Sequence, residues 1–183
     1  MALTYSKMLN LGTEMPAFSL PNTINNQVFD SQNLDEDKGV VIMFICNHCP
    51  YVVHYHDKIV EITTKYLPKI NFVAVSANDI KKYPEDSPEK MTLLAQKLGV
   101  SFPYLYDETQ QVAKAYQAVC TPEFYLFNKN KKLIYRGRLD DSYPNNGKEV
   151  TGKDLTNAID NYLSDNPISE KQHPSLGCNI KWK

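Results

Sequence analysis

A chain of 183 residues with 42% hydrophobic and 22% charged residues holds enough apolar material for one globular domain, which excludes intrinsic disorder. Its 20 basic and 21 acidic residues leave a net charge of −1, and no basic stripe runs along it, so nucleic-acid binding has no electrostatic support. The longest apolar run, residues 40–45, is far too short to span a bilayer, so a membrane is not an expected partner either.

The first residues, MALTYSKMLNLG, lack the basic start and apolar core of a signal peptide, which predicts a cytoplasmic protein. Two short alternating runs flank Asn25-Asn26 and predict a hairpin. After a polar loop, Val40 to Ile45 reads as a strand buried on both faces. Cys46-Asn47-His48-Cys49-Pro50 ends it. Val52, Tyr55, Ile59, Ile62 and Tyr66 then form the stripe of one helix closed by Pro68, followed by a second buried strand over Asn71–Ser76. A strand–helix–strand unit of this kind makes the two strands parallel with a right-handed crossover.

Residues 77–88 read as a polar loop, with Lys81, Lys82, Glu85 and Asp86 as its solvated charges. Ser87 and Pro88 start a helix with Met91, Leu94, Ala95 and Leu98 inward and Gly99 as its stop. A short strand through Phe102–Tyr106 follows, then a helix opened by Asp107 and Gln110 at capping-box spacing. Val119–Phe127 and Lys132–Gly137 predict an antiparallel pair whose end, with Arg136, Arg138, Asp140 and Asp141, is solvated. A last helix carries Leu155, Ala158, Ile159, Tyr162 and Leu163. This order predicts an α/β sandwich around a central mixed sheet over residues 1–163, with residues 164–183 a tail that either packs on the domain or stays loose.

The chemistry lies in C-N-H-C-P. The first turn of a helix exposes unpaired N–H groups and the positive end of its dipole, which stabilise a thiolate. At this spacing Cys46 is expected to be the solvent-facing nucleophile and Cys49 the deeper, resolving thiol. His48 between them is expected to stabilise the Cys46 thiolate. Two inert buried thiols are the plain alternative. A zinc site from Cys46 and Cys49 with His48, His54 or His56 is another, but the second half of a zinc motif is missing, so no metal is assigned.

With G-T-E-M-P-A-F-S-L at the start, C-N-H-C-P at 46–50 and T-P-E-F at 121–124, the chain resembles the thioredoxin superfamily over about residues 10–163. Within it, the resemblance is to the redoxin branch, which includes alkyl hydroperoxide reductase/thiol-specific antioxidant proteins and a peroxiredoxin-like group. It implies a thioredoxin-like three-layer sandwich, a cis Pro122 facing the dithiol, and a Thr121 backbone offered to an extended substrate segment, which adds as a strand. The peroxiredoxin pattern P-x-x-x-T-x-x-C aligns its cysteine with Cys49, but Ile42 stands at its proline and Cys46 at its threonine. Its peroxide-polarising arginine has no counterpart near Thr121, so fast O–O cleavage of the usual type is not expected. The buried acid of thioredoxins is replaced by Val40, leaving water, another group or Glu123 to move the proton of Cys49.

Two cysteines remain. Cys120 either fills the core or pairs with or tunes Cys46, and Cys178 is either a resolving thiol reaching back from the tail or a passenger on a docked one. His54 and His56 read as surface residues. The expected function is a thiol–disulfide oxidoreductase without a bound cofactor. Its partners are a protein or small-molecule disulfide and a dithiol electron donor. The alternatives are a peroxiredoxin-like thiol peroxidase acting on peroxide, with Cys120 or Cys178 resolving, and a metal-binding or redox-sensing module.

Overall fold

The computed structural model describes residues 3–183; Met1 and Ala2, where the N-terminal segment begins, lie outside the described residues. In chain order its strands are β1 (Leu3–Tyr5), β2 (Ser19–Pro21), β3 (Val28–Asp30), β4 (Gly39–Phe44), β5 (Ile70–Ser76), β6 (Tyr104–Tyr106), β7 (Cys120–Thr121), β8 (Glu123–Phe127), β9 (Leu133–Gly137) and β10 (Leu176–Asn179). The helices are α1 (Pro50–Val53), α2 (His56–Tyr66), α3 (Pro88–Leu98), α4 (Gln111–Ala115) and α5 (Lys153–Leu163). No helix among the described residues is long and apolar enough to cross a membrane.

Five strands form the central sheet in the order β6-β5-β4-β8-β9. The apolar run at β4 takes its middle because its side chains are buried on both faces. It pairs in parallel with β5, Val41 opposite Phe72, and antiparallel with β8, Ile42 opposite Tyr125. Alternation along β4 divides the core. Val41 and Met43 join Ile59, Ile62, Met91 and Ile159 from α2, α3 and α5 on one face. Val40, Ile42 and Phe44 join Phe18, Leu20, Ala113 and Tyr116 on the other. The predicted hairpin is β2–β3, with Leu20 opposite Phe29.

Four local expectations are corrected. The helix over 52–66 is broken between α1 and α2, where Tyr55 N–H bonds Val52 C=O in a tighter turn. There the Tyr55 hydroxyl is drawn to the Ser142 carbonyl and His54 Nε2 to Ser142 Oγ at 3.1 Å. The strand over 119–127 is cut at Pro122, so β7 and β8 belong to different sheets. The capping box at Asp107 does not form: Gln110 turns its amide to the carbonyls of Ala77 and Lys181, and Asp107 accepts from Ala113 N–H. Asp140 lies buried rather than in solvent, accepting from the N–H groups of Ser142, Thr151 and Gly152.

The tail packs on the domain. Strand β10 lies antiparallel between β1 and β7, with Cys178 opposite both Leu3 and Thr121. Beyond it, Ile180 N–H bonds Val119 C=O and Lys181 N–H bonds Asn78 Oδ1.

Candidate active site

Strand β4 delivers the chain to Cys46, and Cys49 is the residue that caps α1. Pro50 takes the first helical position, where its missing N–H breaks no intrahelical bond. The N–H groups of Val52 and Val53 both reach the Cys49 carbonyl at 2.9 Å, so the helix start is built on residue 49 rather than under residue 46.

Both sulfurs converge on Thr121. Cys46 Sγ lies 3.3 Å from Thr121 Oγ1, and the protonated Cys49 thiol donates to the Thr121 carbonyl at 3.2 Å. Thr121 is joined to Pro122 by a cis peptide bond, as the resemblance implies. The exposure of Cys46 is corrected: Cys46 is 1% exposed and Cys49 0%. Two elements close over the pair. On one side is the 83–87 loop, where Tyr83 stacks on the His48 ring at 5.3 Å and the Glu85 carbonyl accepts from Asn47 Nδ2. On the other is β10, whose Cys178 donates to Cys49.

The electrostatics also depart from the expectation. Cys46 donates to Cys49, is buried, and faces the Asp86 carboxylate, which together hold its thiol well above the ordinary range. Cys49 collects the donors: Cys178 first, then Cys46, then the N–H groups of Val52 and Cys178, so its thiol is lowered. Cys178, as donor to Cys49 and buried, is held up. The three sulfurs titrate as one coupled set, in which the donors converge on Cys49.

His48 does not serve Cys46 as expected. Its Nδ1 lies 2.6 Å from Asp86 Oδ2, and its Nε2 is buried without a hydrogen-bond partner among the described residues. Asp86, fully buried, also accepts from the N–H groups of Asn47 and His48 at 2.8 and 3.2 Å and from Asn78 Nδ2 at 2.8 Å. The donors beside residue 46 are therefore spent on Asp86, which adds negative charge there. In the sequence Asp86 sits among solvated charges and nothing separates it from Glu85; the prolines at 84 and 88 that stiffen its loop are the one signal.

Of the residues weighed for a metal, Cys46 and His48 fall with Asp86 in a group whose ligand atoms lie within 4.8 Å of one another. That is three ligands, one short of a closed zinc site, and Asp86 is already spent on four donors. His54 and His56 are half-buried rather than surface residues. His56 lines a cavity of about 20 Å³ with Cys46, Ile59, Leu94 and Phe102, and burial lowers its pKa. Cys120 is placed with Glu123, Sγ to Oε2 3.8 Å, and not with Cys46. Burial pushes the Cys120 thiol up and the Glu123 carboxyl up to about 7. Glu123 bonds Val119, Cys120 and Tyr125.

The Redoxin family model matches residues 10–154. This chain belongs to the Redoxin family. Among solved structures, this redoxin is similar to an uncharacterized conserved protein from Geobacillus kaustophilus, at 51% identity and a TM-score of 0.98 over 100% of this chain and 97% of that one. A hypothetical protein from Sinorhizobium meliloti is 38% identical, with a TM-score of 0.95 over 98% of each chain. A secreted disulfide oxidoreductase from Mycobacterium tuberculosis, 15% identical, shares the fold at a TM-score of 0.60 over 78% of this chain and 94% of that one. No curated protein sequence matches the chain.

Proposed function

We propose that this redoxin is a thiol–disulfide oxidoreductase cycling between a Cys46/Cys49 dithiol and a Cys46–Cys49 disulfide. The reading rests on one observation: two cysteines three residues apart, at the end of a buried strand, both hydrogen-bond Thr121 at the cis proline. The donors gathered on Cys49 make it the attacking thiolate, reversing the order read from spacing. Cys49 attacks the substrate disulfide and forms a mixed disulfide, releasing one substrate thiolate. Cys46 then displaces the second thiolate and closes the internal disulfide. Electrons return from a dithiol protein or a small thiol, as in a cytoplasmic setting, without a bound cofactor. Because both sulfurs are covered, either the 83–87 loop or β10 moves aside for substrate.

The test is exchange with a small disulfide followed by mass mapping. The double variant Cys46→Ser/Cys178→Ser is expected to trap the mixed disulfide on Cys49, and Cys49→Ser to abolish insulin-disulfide reduction. Wild-type protein that forms no disulfide at either residue sinks the reading.

A second reading, a thiol peroxidase, draws on the same stabilised Cys49 with a thiol, Cys178, against it. Against it, Arg136 and Arg138, the only arginines of the chain, are held by Gln172 and Asp154. Peroxide consumption with dithiothreitol that survives Cys46→Ser and disappears in Cys49→Ser favours this reading.

A further inference from the structure

Strand β7 is two residues long and leads straight into the dithiol site, and its outer edge offers backbone groups on which an extended segment adds as a strand. That edge is occupied by the chain's own tail. Cys178 lies opposite Thr121 and Asn179 opposite Cys120 in antiparallel register. The approach is close enough to select the residue: a Cβ at Gly177 would stand 2.0 Å from the Thr121 carbonyl oxygen and 3.2 Å from Pro122 Cδ. Only glycine fits there. Next to it, Cys178 is buried in the same cluster as Cys46 and Cys49, with its sulfur and its N–H both directed at Cys49. Strand β1 holds the other edge of β10, and Gln110 and Asn78 anchor the chain beyond it.

We propose that β10 is a tethered exchange strand and that Cys178 is a third redox thiol, which attacks the Cys46–Cys49 disulfide at Cys49. The S–S bond between Cys46 and Cys49 breaks, a bond between Cys49 and Cys178 forms, and Cys46 leaves as the thiolate and takes the proton lost by Cys178. One disulfide replaces another, so no further oxidant is required. The inference rests on the dithiol reading above and adds to it a consequence. The Cys49–Cys178 form pins β10 in the place an external substrate strand needs, and its reduction frees the edge.

The experiment uses the full chain. Reduced wild type, Cys46→Ser, Cys178→Ser and Gly177→Val are oxidised with limiting diamide, quenched with N-ethylmaleimide and mapped by tandem mass spectrometry of tryptic peptides. Wild type is expected to yield Cys49–Cys178 besides Cys46–Cys49, Cys46→Ser to yield Cys49–Cys178 alone, and Cys178→Ser to yield Cys46–Cys49 alone. Gly177→Val, which cannot seat the strand, is expected to lose the Cys178 bond and to reduce insulin several-fold faster than wild type. A wild type that closes Cys46–Cys49 while Cys178 remains fully alkylated overturns the exchange strand and leaves the dithiol reading standing. So does a Cys46→Ser variant in which Cys49 and Cys178 do not bond. Absence of any disulfide at Cys46 or Cys49 in wild type sinks the dithiol reading instead.

Discussion

Asp86 gives its two carboxylate oxygens to four donors and leaves Cys46 beside a negative charge. Asn at this position keeps an acceptor for the backbone N–H groups of Asn47 and His48 and removes the charge. Asp86→Asn is therefore expected to move the pH profile of Cys46 alkylation by iodoacetamide to lower pH, followed by mass mapping with Cys49 as internal reference. An unmoved profile shows that burial and the bond to Cys49 alone hold the thiol up. Residue types and spacing made Cys46 and Cys49 legible as a site, because a C-x-x-C at a strand-to-helix junction needs few other facts, and the family resemblance added Thr121 and Pro122. Which sulfur carries the charge was not legible. It depends on donors from residues 52 and 178 and on the carboxylate at residue 86, and no spacing rule links those positions.

The elements followed from periodicity wherever one face alone decides burial. Helix α3 begins with the Ser87 side chain accepting from Lys90 N–H and ends at Gly99 with φ +67°, both read from local signals. The face of the sheet opposite α2, α3 and α5 was harder to foresee, since an aromatic cluster from distant segments fills it. Tyr116 meets Phe44, Tyr125 and Phe127 with ring centroids 5.5, 5.8 and 5.9 Å away and donates its hydroxyl to Pro16 C=O. Tyr116→Ala is expected to cost about 3–5 kcal/mol, as other buried aromatic truncations do. Tyr116→Phe gives up one hydrogen bond, about 1 kcal/mol. Urea denaturation of both variants checks this, and equal losses would show that the hydroxyl rather than the ring matters.

For the whole molecule, the buried Glu123 couples stability to pH. Its carboxyl is held up to about 7 by burial, against an ordinary 4.5, so between those values the unfolded chain releases a proton that the folded chain keeps. Stability from this group is complete below about pH 4.5 and is lost as pH rises through about 7, by roughly 3 kcal/mol in all. Glu123→Gln keeps an acceptor for Val119 N–H and is expected to flatten that decline in denaturation at pH 5 and pH 7.5 under reducing conditions. Parallel wild-type and variant profiles would falsify the assignment. The sequence by itself determined the α/β layering, the buried β4, and the dithiol at its end, because hydrophobic period and turn chemistry act over a few residues. Only the tertiary structure decided that the tail fills the edge of β7, that Asp86 is buried and that Cys49 collects the donors. Each of these depends on a contact between residues 38 to 129 positions apart, made only after the sheet brings their ends together.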